Sequence, residues 1–566
     1  MYEKIIKELN PKPKFNLKWY KEEDLYSEGE IEDIIINLIV ENKPEEYIKA
    51  ISEQFNWSTY YHLTHLRKNI LNWYAFDKEA TVLEIGCGLG AITSVLCENC
   101  KEVTAVELSK KRATAALLRC REKDNLEIIV GNLNDIKFDK KFDYITLIGV
   151  LEYQGSYTNT SDPYCDFLKK IKGLLKPEGK LLIAIENQYG LKYWCGARED
   201  HTGIPFDGMN QYTLTERKIR TFSKKALEDL IKRSGFKRTY FYYPMPDYKL
   251  PTVIYSQDFL PRNENMQNVR YYYVPDKATL LAQEENIYKD IIQNNVFEFF
   301  SNSYLVECSD SDDIGKIIFA SMSSERIPEY RIGTRFTKDN KVEKFSLVKS
   351  FGENHIVQIK ENENNLKMHG IKVCPSKIEG RKIILDYIDA PLCEEYLLNL
   401  LSENKLNLAC KIWDNLYEQI IKSSEEVPFE KNILYTFGLK INSDREVYGN
   451  ILKTGYLDMI LRNAFFIEEK MYWFDQEWIL ENIPAKYILY RALKEFYISF
   501  PDMNKKLPME KMIKRYHMQN IWKDFETLEA LFVSSVMDQK HLSLSNVFRG
   551  SDKERCISNI NKILNI

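Results

Sequence analysis

Val82-Leu83-Glu84-Ile85-Gly86-Cys87-Gly88-Leu89-Gly90 decides how the first half of this 566-residue chain folds. Thr81–Ile85 is a short apolar run with the look of a buried strand, and Ala91–Glu98 has helical spacing. Between them lies E-x-G-x-G-x-G. Glycines let a backbone turn tightly and approach a ligand closely. A second strand, Glu102–Val106, leads to Glu107, seventeen residues after Gly90. A carboxylate at that strand end can accept hydrogen bonds from both hydroxyls of an adenosine-type ribose. Three glycines, a strand before, a helix after and an acid at the next strand end make a far more specific signal than a lone glycine motif.

Working outward, Lys110–Arg121 reads as a helix, and Leu126–Val130, Phe142–Leu147 and Lys180–Ile185 as strands. Asp166–Leu175 is a helix between the last two strands, and Lys225–Ser234 is a later one. Alternating strands and helices predict a parallel sheet with crossovers, a Rossmann-like α/β layer with helices on both faces. Lys237–Tyr243 and Thr252–Tyr255 are two more strand candidates. Upstream, residues 1–75 look mostly helical, with Ile31–Asn42 and Tyr61–Tyr74 periodic at three and four residues.

Several features agree with a more particular reading. The leading Glu84 and the G-x-G-x-G form resemble the class I S-adenosylmethionine-dependent methyltransferases rather than the G-x-G-x-x-G dehydrogenases. So do Gly131-Asn132 after the third strand, Phe142-Asp143-Tyr144-Ile145 opening the fourth, Gly149-Val150-Leu151-Glu152-Tyr153 after it, and Leu174-Leu175-Lys176-Pro177-Glu178-Gly179-Lys180 before the fifth. The resemblance spans about residues 60–255. It implies an S-adenosylmethionine site made by Glu84, Gly86, Cys87, Gly88, Gly90, Glu107, Asn132, Gly149, Leu151 and Glu152, with no metal in this domain. The methyl acceptor would be an oxygen.

The acceptor side is expected from Glu186-Asn187-Gln188-Tyr189-Gly190-Leu191-Lys192-Tyr193-Trp194-Cys195-Gly196-Ala197-Arg198-Glu199-Asp200-His201, which leaves the C-terminal end of the fifth strand. Ligands bind on that side of doubly wound folds. His201 is the candidate catalytic base. Asn187, Lys192, Tyr193 and Arg198 are candidate substrate contacts, the two cations for an anion. Tyr60-Tyr61-His62-Leu63-Thr64-His65-Leu66-Arg67 reads as a lid; His62 and His65 themselves read as sharing a helix face. Tyr242–Pro251, with three prolines, is a stiff excursion whose tyrosines could stack on a sugar, though a structural turn explains it equally well.

The chain then changes texture. Residues 256–278 are polar and Asn-rich and read as a linker, with Leu280–Phe300 as a connecting helix. From 303 to 388 short strand patterns dominate (Tyr304–Cys308, Lys316–Ala320, Tyr330–Phe336, Lys344–Lys349, Lys382–Tyr387), and from 394 onward helices. Asp458, Asn463 and Asp475 have the spacing of a phosphotransferase site: one Asp for the acceptor hydroxyl, an Asn and a second Asp for Mg²⁺. This resembles the kinase-like fold of small-molecule phosphotransferases, an α+β bilobal unit. The resemblance would make Lys349 the phosphate lysine, paired with Glu361 or Glu363, and Leu385–Ile388 the hinge. Departures are plain: Ser321-Met322-Ser323-Ser324-Glu325-Arg326 stands where a glycine loop belongs, and Asp475 heads Asp-Gln-Glu. The expected domains are 1–75, 76–256, 257–302 (linker) and 303–566.

A methyltransferase followed by a kinase-like domain is similar to bifunctional enzymes that cap bacterial surface polysaccharides. That likeness implies a glycan or glycan-phosphate acceptor, ATP and Mg²⁺ if the second half is active, and peripheral association with membrane-bound glycan assembly enzymes. The alternative is a small-molecule or tRNA methyltransferase with a non-catalytic scaffold half. Composition bears on the choice. With 79 Lys and Arg against 83 Asp and Glu, the chain lacks the basic excess of a nucleic-acid binder. No signal-peptide pattern and no long apolar run appear, and eleven Cys are scattered with only a lone Cys97-x-x-Cys100, so a cytoplasmic protein with free thiols is expected. The 36 Tyr suit cores and also sites for sugars or cations.

Overall fold

The computed structural model describes every residue except 1, 25, 216, 263–273, 349–350, 439–444, 551–552 and 566. The chain forms two compact units. The first comprises residues 1–325, 333–339 and 539–566; the second comprises 326–332 and 340–538.

The first unit is built on one sheet. Its strands are β1 (Lys14–Trp19), β2 (Thr81–Ile85), β3 (Glu102–Glu107), β4 (Leu126–Gly131), β5 (Phe142–Ile148), β6 (Leu175–Glu186), β7 (Arg238–Met245), β8 (Val253–Ser256), β9 (Ser303–Ser309), β10 (Ile317–Met322) and β11 (Ile332–Thr337). The order is β1-β4-β3-β2-β5-β6-β9-β7-β8-β10-β11. From β1 to β6 every pair is parallel. Beyond β6 the pairing is antiparallel. The five central parallel strands are β-branched and aliphatic and buried on both faces, as crossover helices require. Helices Ala91–Asn99, Lys110–Arg119, Pro163–Leu174 and Lys224–Arg233 supply those crossovers. Ser109 and Ser223 cap two of them, their side chains accepting from the amides of Arg112 and Ala226. The order β3-β2-β5 places the switch point of the sheet between β2 and β5, so their C-terminal ends open the crevice.

Residues 1–75 are mostly helical, with Lys14–Trp19 added as a strand on β4 and Phe15, Leu17 and Trp19 alternating along it. Three expectations change. Tyr304–Cys308 is not part of a second domain. It forms β9, fully buried between β6 and β7, and gives β6 the partner it would otherwise lack. The boundary at 303 therefore moves. Residues 303–325 and 333–339 complete the first unit, and so does the C-terminal stretch 539–566. Phe548 packs on Phe55, Trp57 and Tyr60, which explains that return. The connecting helix over 280–300 is two pieces, Glu284–Gln293 and Phe297–Phe300.

The second unit has an antiparallel sheet of β12 (Lys341–Ser346), β13 (Ser376–Glu379) and β14 (Lys382–Asp386) in the order β12-β14-β13. Helix Glu353–Met368 packs near it through Ile356 and Ile359, which meet Ile383. Downstream are β15 (Glu426–Val427), β16 (Ile451–Tyr456), the hairpin β17 (Ala464–Ile467) and β18 (Lys470–Trp473), and β19 (Ile479–Pro484). Glu468 and Glu469 turn the hairpin at φ +48° and +60°, as a tight hairpin loop demands. Helices Cys393–Ser402, Leu406–Lys422, Ala485–Ser499 and Trp522–Val536 bury Trp413, Leu416, Tyr487 and Phe525 in one core. Among the described residues no helix is long and apolar enough to cross a membrane.

Candidate active site

The glycine loop is shaped by close approaches. Gly86, Gly88 and Gly90 have φ of +74°, +53° and +80°. A Cβ on Gly86 would lie 2.5 Å from Val150 Cγ2, and one on Gly90 would lie 2.8 Å from the backbone of Ala116. Gly88 is different: its nearest neighbour is the end of the Arg112 side chain at 3.3 Å, and it faces the cavity. Glu107 ends β3 beside it. Its Oε2 accepts from the Gly88 amide at 2.8 Å, and its Oε1 from Leu108 and Ser109 at 2.9 and 3.1 Å. That acid is fixed by backbone before any ligand arrives. Glu84 is buried beneath the loop, and burial, then the neighbouring Glu107, pushes its carboxyl up to about 7 against the help of Thr93. Burial likewise pushes the Cys87 thiol up.

These residues line a cavity of about 450 Å³ at the crevice, within the range of small-molecule sites. Glu84, Gly86, Cys87, Gly88, Glu107, Asn132, Gly149 and Glu152 all reach its wall. Gly90 and Leu151 do not: Gly90 packs on the helix that carries Ala116, and Leu151 is buried in the core. The residues fit an adenosine-type cofactor. The open side of Gly88 is a cradle that a side chain would fill, and the fixed carboxylate of Glu107 stands next to it.

The same cavity continues to a second, charged end. His201 sits on its wall, with Nδ1 2.9 Å from Glu199 Oε1 and Nε2 3.6 Å from Glu152 Oε1 and 3.9 Å from Glu186 Oε2. Burial would lower the imidazole, but Glu186, Glu152 and Glu199 outweigh it and hold it well above its ordinary value. Lys249 contacts Glu186 and lies 3.3 Å from Asp200. Lys192 is buried and bonded to Asp200 at 2.7 Å and Asp247 at 2.6 Å. Burial would raise Asp200, but Lys192 and Lys249 outweigh it and hold the acid well below its usual range. Tyr193 donates to Asp200 as well, at 2.5 Å.

The predicted acceptor residues therefore divide. His201 lines the cavity. Lys192 and Tyr193 lie behind its wall, and their polar groups go to Asp200 and Asp247. Asn187 ties its loop to the carbonyls of Phe299 and Ser301, both at 2.7 Å. Arg198 faces outward to Asp276 and the carbonyl of Gly203. Of the lid histidines, His62 lines the cavity and meets Glu28 at 3.2 Å, whereas His65 meets the Ser324 carbonyl at 2.7 Å. The structure adds Arg112, and it brings to the wall Arg67, Glu186, Tyr248 and Lys249, which lay in the quoted stretches without a role of their own beyond sugar stacking for the tyrosine. Arg67 donates to the carbonyls of Tyr248 and Lys249 at 3.2 Å and stacks on Tyr61. The Tyr242–Pro251 excursion was visible as a stiff loop; its position against Glu186 was not.

In the second unit, Lys344 on β12 contacts Asp475 and lies 2.9 Å from Glu477. Arg326 meets the other oxygen of Glu477 at 2.5 Å. Asp475 adopts φ +57°. Asp458 Oδ2 accepts from the amides of Glu477 and Trp478 at 2.9 and 3.1 Å, and Asn463 donates to the Asp458 carbonyl at 3.2 Å. Burial and then Glu477 push Asp458 up to about 7. Lys349 lies outside the described residues. Glu363, expected as its partner, bonds Lys360 and Ser376.

Comparison with known proteins agrees with the first site. Residues 83–183 match the family model described as a methyltransferase domain. The chain is 30% identical over 124 residues to the malonyl-[acyl-carrier protein] O-methyltransferase of Priestia megaterium, covering 22% of this chain and 42% of that one. It is 34% identical over 114 residues to an uncharacterized methyltransferase of Staphylococcus carnosus, covering 20% and 51%. It thus spans about half the length, or less, of these curated relatives. Among solved structures, the N-methyltransferase NodS of Bradyrhizobium japonicum with S-adenosylhomocysteine matches at 20% identity over 23% of this chain and 64% of that one, with a TM-score of 0.20, too slight a likeness to add to the chemistry. The chain carries a class I S-adenosylmethionine-dependent methyltransferase domain of Rossmann-like form.

Proposed function

We propose that the chain methylates an oxygen acceptor, a sugar or glycan phosphate in surface-polysaccharide synthesis, with S-adenosylmethionine as donor. One observation carries this reading: a single cavity runs from the glycine loop and Glu107 to the Glu152, Glu186 and His201 cluster. When bound, the cofactor supplies an activated methyl on a sulfonium sulfur, so the protein has mainly to position the reactants. Gly88 and Glu107 hold the adenosine end. Glu152, Glu186 and His201 face the acceptor, whose proton goes to a carboxylate of the cluster, the imidazole between them already holding its own. Tyr61, Tyr153 and Tyr248 give the cavity aromatic walls suited to a sugar ring. Lys192 and Lys249 are already neutralised by carboxylates, so a neutral hydroxyl suits this end better than a phosphate. The O-methyltransferase relative in Priestia megaterium supports oxygen as the acceptor atom. Peripheral association with glycan assembly enzymes belongs to the same reading.

The test is calorimetry with S-adenosylmethionine, followed by mass spectrometry of glycan extracts incubated with it. Binding in the micromolar range and a glycan heavier by one methyl group are expected. No binding by the wild-type chain removes the reading; binding with methylation only of tRNA or of a small molecule replaces the acceptor.

For residues 340–538 we propose a phosphotransferase-type site, favoured by the Lys344–Asp475 contact and by Asn463 near Asp458. Lys344 would hold ATP phosphates, and Asp475 with Asn463 the Mg²⁺. Mg-ATP binding that is lost in Asp475→Ala supports it. Failure of the wild-type chain to bind Mg-ATP leaves this unit a scaffold.

A further inference from the structure

We propose that Glu152, Glu186 and His201 form a binding site for one divalent transition cation, of the Mn²⁺ or Zn²⁺ kind, at the acceptor end of the cavity. This rests on the methyltransferase reading for its purpose, though not for its geometry. Glu152 lies in the turn Leu151–Tyr153 after β5, Glu186 is the last residue of β6, and His201 is in the loop that follows. Three separate segments thus deliver one oxygen or nitrogen donor each, all within 4.8 Å of one another.

The donors have the marks of ligands without an ion. Glu152 Oε2 and Glu186 Oε2 have no hydrogen-bond partner, although each side chain is only 1% exposed. An unpartnered buried carboxylate oxygen is costly, and both belong to residues on the wall of one cavity, with Glu152 Oε1 and Glu186 Oε2 the oxygens nearest His201. The distances of 3.6 and 3.9 Å from His201 Nε2 are too long for hydrogen bonds. They suit atoms that converge on a common centre. The outer shell is in place as well. His201 gives Nδ1–H to Glu199, which leaves Nε2 directed at the two carboxylates, and metal-binding histidines are oriented in this way. Glu199 is in turn fixed by the amides of His201 and Thr202, both at 2.7 Å. Lys249 and Tyr248 hold the other oxygen of Glu186.

Two carboxylates and an imidazole select a borderline first-row cation over Ca²⁺ or Mg²⁺, which prefer all-oxygen shells. Three protein ligands leave open positions, as catalytic sites do. An acceptor hydroxyl could occupy one, held in place and made more acidic. His201 is then a ligand rather than the base, and the first half of the chain is not metal-free as its sequence suggests.

The experiment is Mn²⁺ titration of the chelator-treated full chain, with free Mn²⁺ read by electron paramagnetic resonance and Zn²⁺ as competitor. One bound Mn²⁺ per chain, displaced by Zn²⁺, is expected. Glu186→Gln and Glu152→Gln should each weaken it at least tenfold, with melting transitions that show both variants folded. No stoichiometric Mn²⁺ or Zn²⁺ on the wild-type chain, or equal affinity in both folded variants, overturns the proposal. Calorimetry with S-adenosylmethionine on the same wild-type sample keeps the readings apart. Cofactor binding without Mn²⁺ sinks only the cation site, and Mn²⁺ binding without cofactor sinks only the methyltransferase reading.

Discussion

The two ends of the cavity are made in opposite ways. The cofactor end is mostly backbone: three left-handed glycines and one acid fixed by the amides of Gly88, Leu108 and Ser109, all within residues 84–109. The acceptor end is mostly side chain: Glu152, Glu186, the pair Asp200-His201 and Lys249 come from distant stretches of the chain and meet only after folding. One end is a local conformation, so its failures are steric. The other is a balance of buried charges, so its failures are electrostatic.

The largest effect should come from breaking the steric end. Gly90→Val places a branched Cβ 2.8 Å from the backbone of Ala116, at a φ of +80°. Overpacking and left-handed strain together cost about 3 kcal/mol or more. We expect a large fall in melting temperature and no cofactor binding by calorimetry. Gly88→Ala at the cavity wall sharpens the contrast: about 1–2 kcal/mol of backbone strain, a nearly normal melt, and cofactor affinity lost. If Gly90→Val melts like the wild type, the loop is not held as described.

Next is the electrostatic end. Lys249→Met leaves Glu186 and Asp200 with one cation fewer, and breaking a buried pair in this way costs about 3–5 kcal/mol. Differential scanning calorimetry should show that loss, with cofactor affinity changed only a fewfold. A large loss of cofactor affinity in this variant would mean that the two ends are not separable. Glu107→Gln tests the boundary from the other side. Charge-assisted bonds are worth about 1.5–3 kcal/mol each, so cofactor affinity should fall about tenfold or more while the acceptor-end charges stay as they are.

This difference also explains what the sequence let one read. The glycine loop and Glu107 sit in contiguous segments with fixed offsets, so their pattern was legible, and so were β2 to β6 from their apolar runs. Lys192 and Arg198 looked equally available as anion contacts, because nothing in a linear chain says that Asp247 and Asp276 will neutralise them. Glu186 and Lys249 are 63 residues apart, and their meeting depends on the path of β7 and its following excursion. β9 was misassigned for a related reason. Its seven residues read as a strand wherever they go, and only the unfilled edge of β6 decides that they join the first sheet. Asp458, Asn463 and Asp475 were singled out by offset alone, whereas Lys344, which stands beside Asp475, was not singled out.

The smallest expected effect concerns the support behind the acceptor loop. Asn302 accepts from the amide of Lys192 at 2.9 Å, its carbonyl accepts from the amide of Asn187 at 3.0 Å, and its side chain donates to Glu284. Glu284 is buried, and burial pushes its carboxyl up to about 7 despite bonds from Asn302 and Tyr288. The folded chain therefore holds a proton there that the unfolded chain, with an ordinary carboxyl near 4.5, releases sooner. Stability from this group is fully present below the unfolded value and is lost as pH rises through about 7. Glu284→Gln keeps the shape without the proton. Against the wild type it should be more stable by about 2 kcal/mol at pH 6, about 1.5 pH units above the unfolded value and still below the folded one, and nearly equal at pH 4, as each pKa unit is about 1.4 kcal/mol. Denaturant melts at the two pH values measure this. An equal difference at both would mean that Glu284 is charged in the fold. The acceptor loop would then rest on an ionised carboxylate, and the charge balance that sets this end apart from the glycine end would reach further back than the cavity wall.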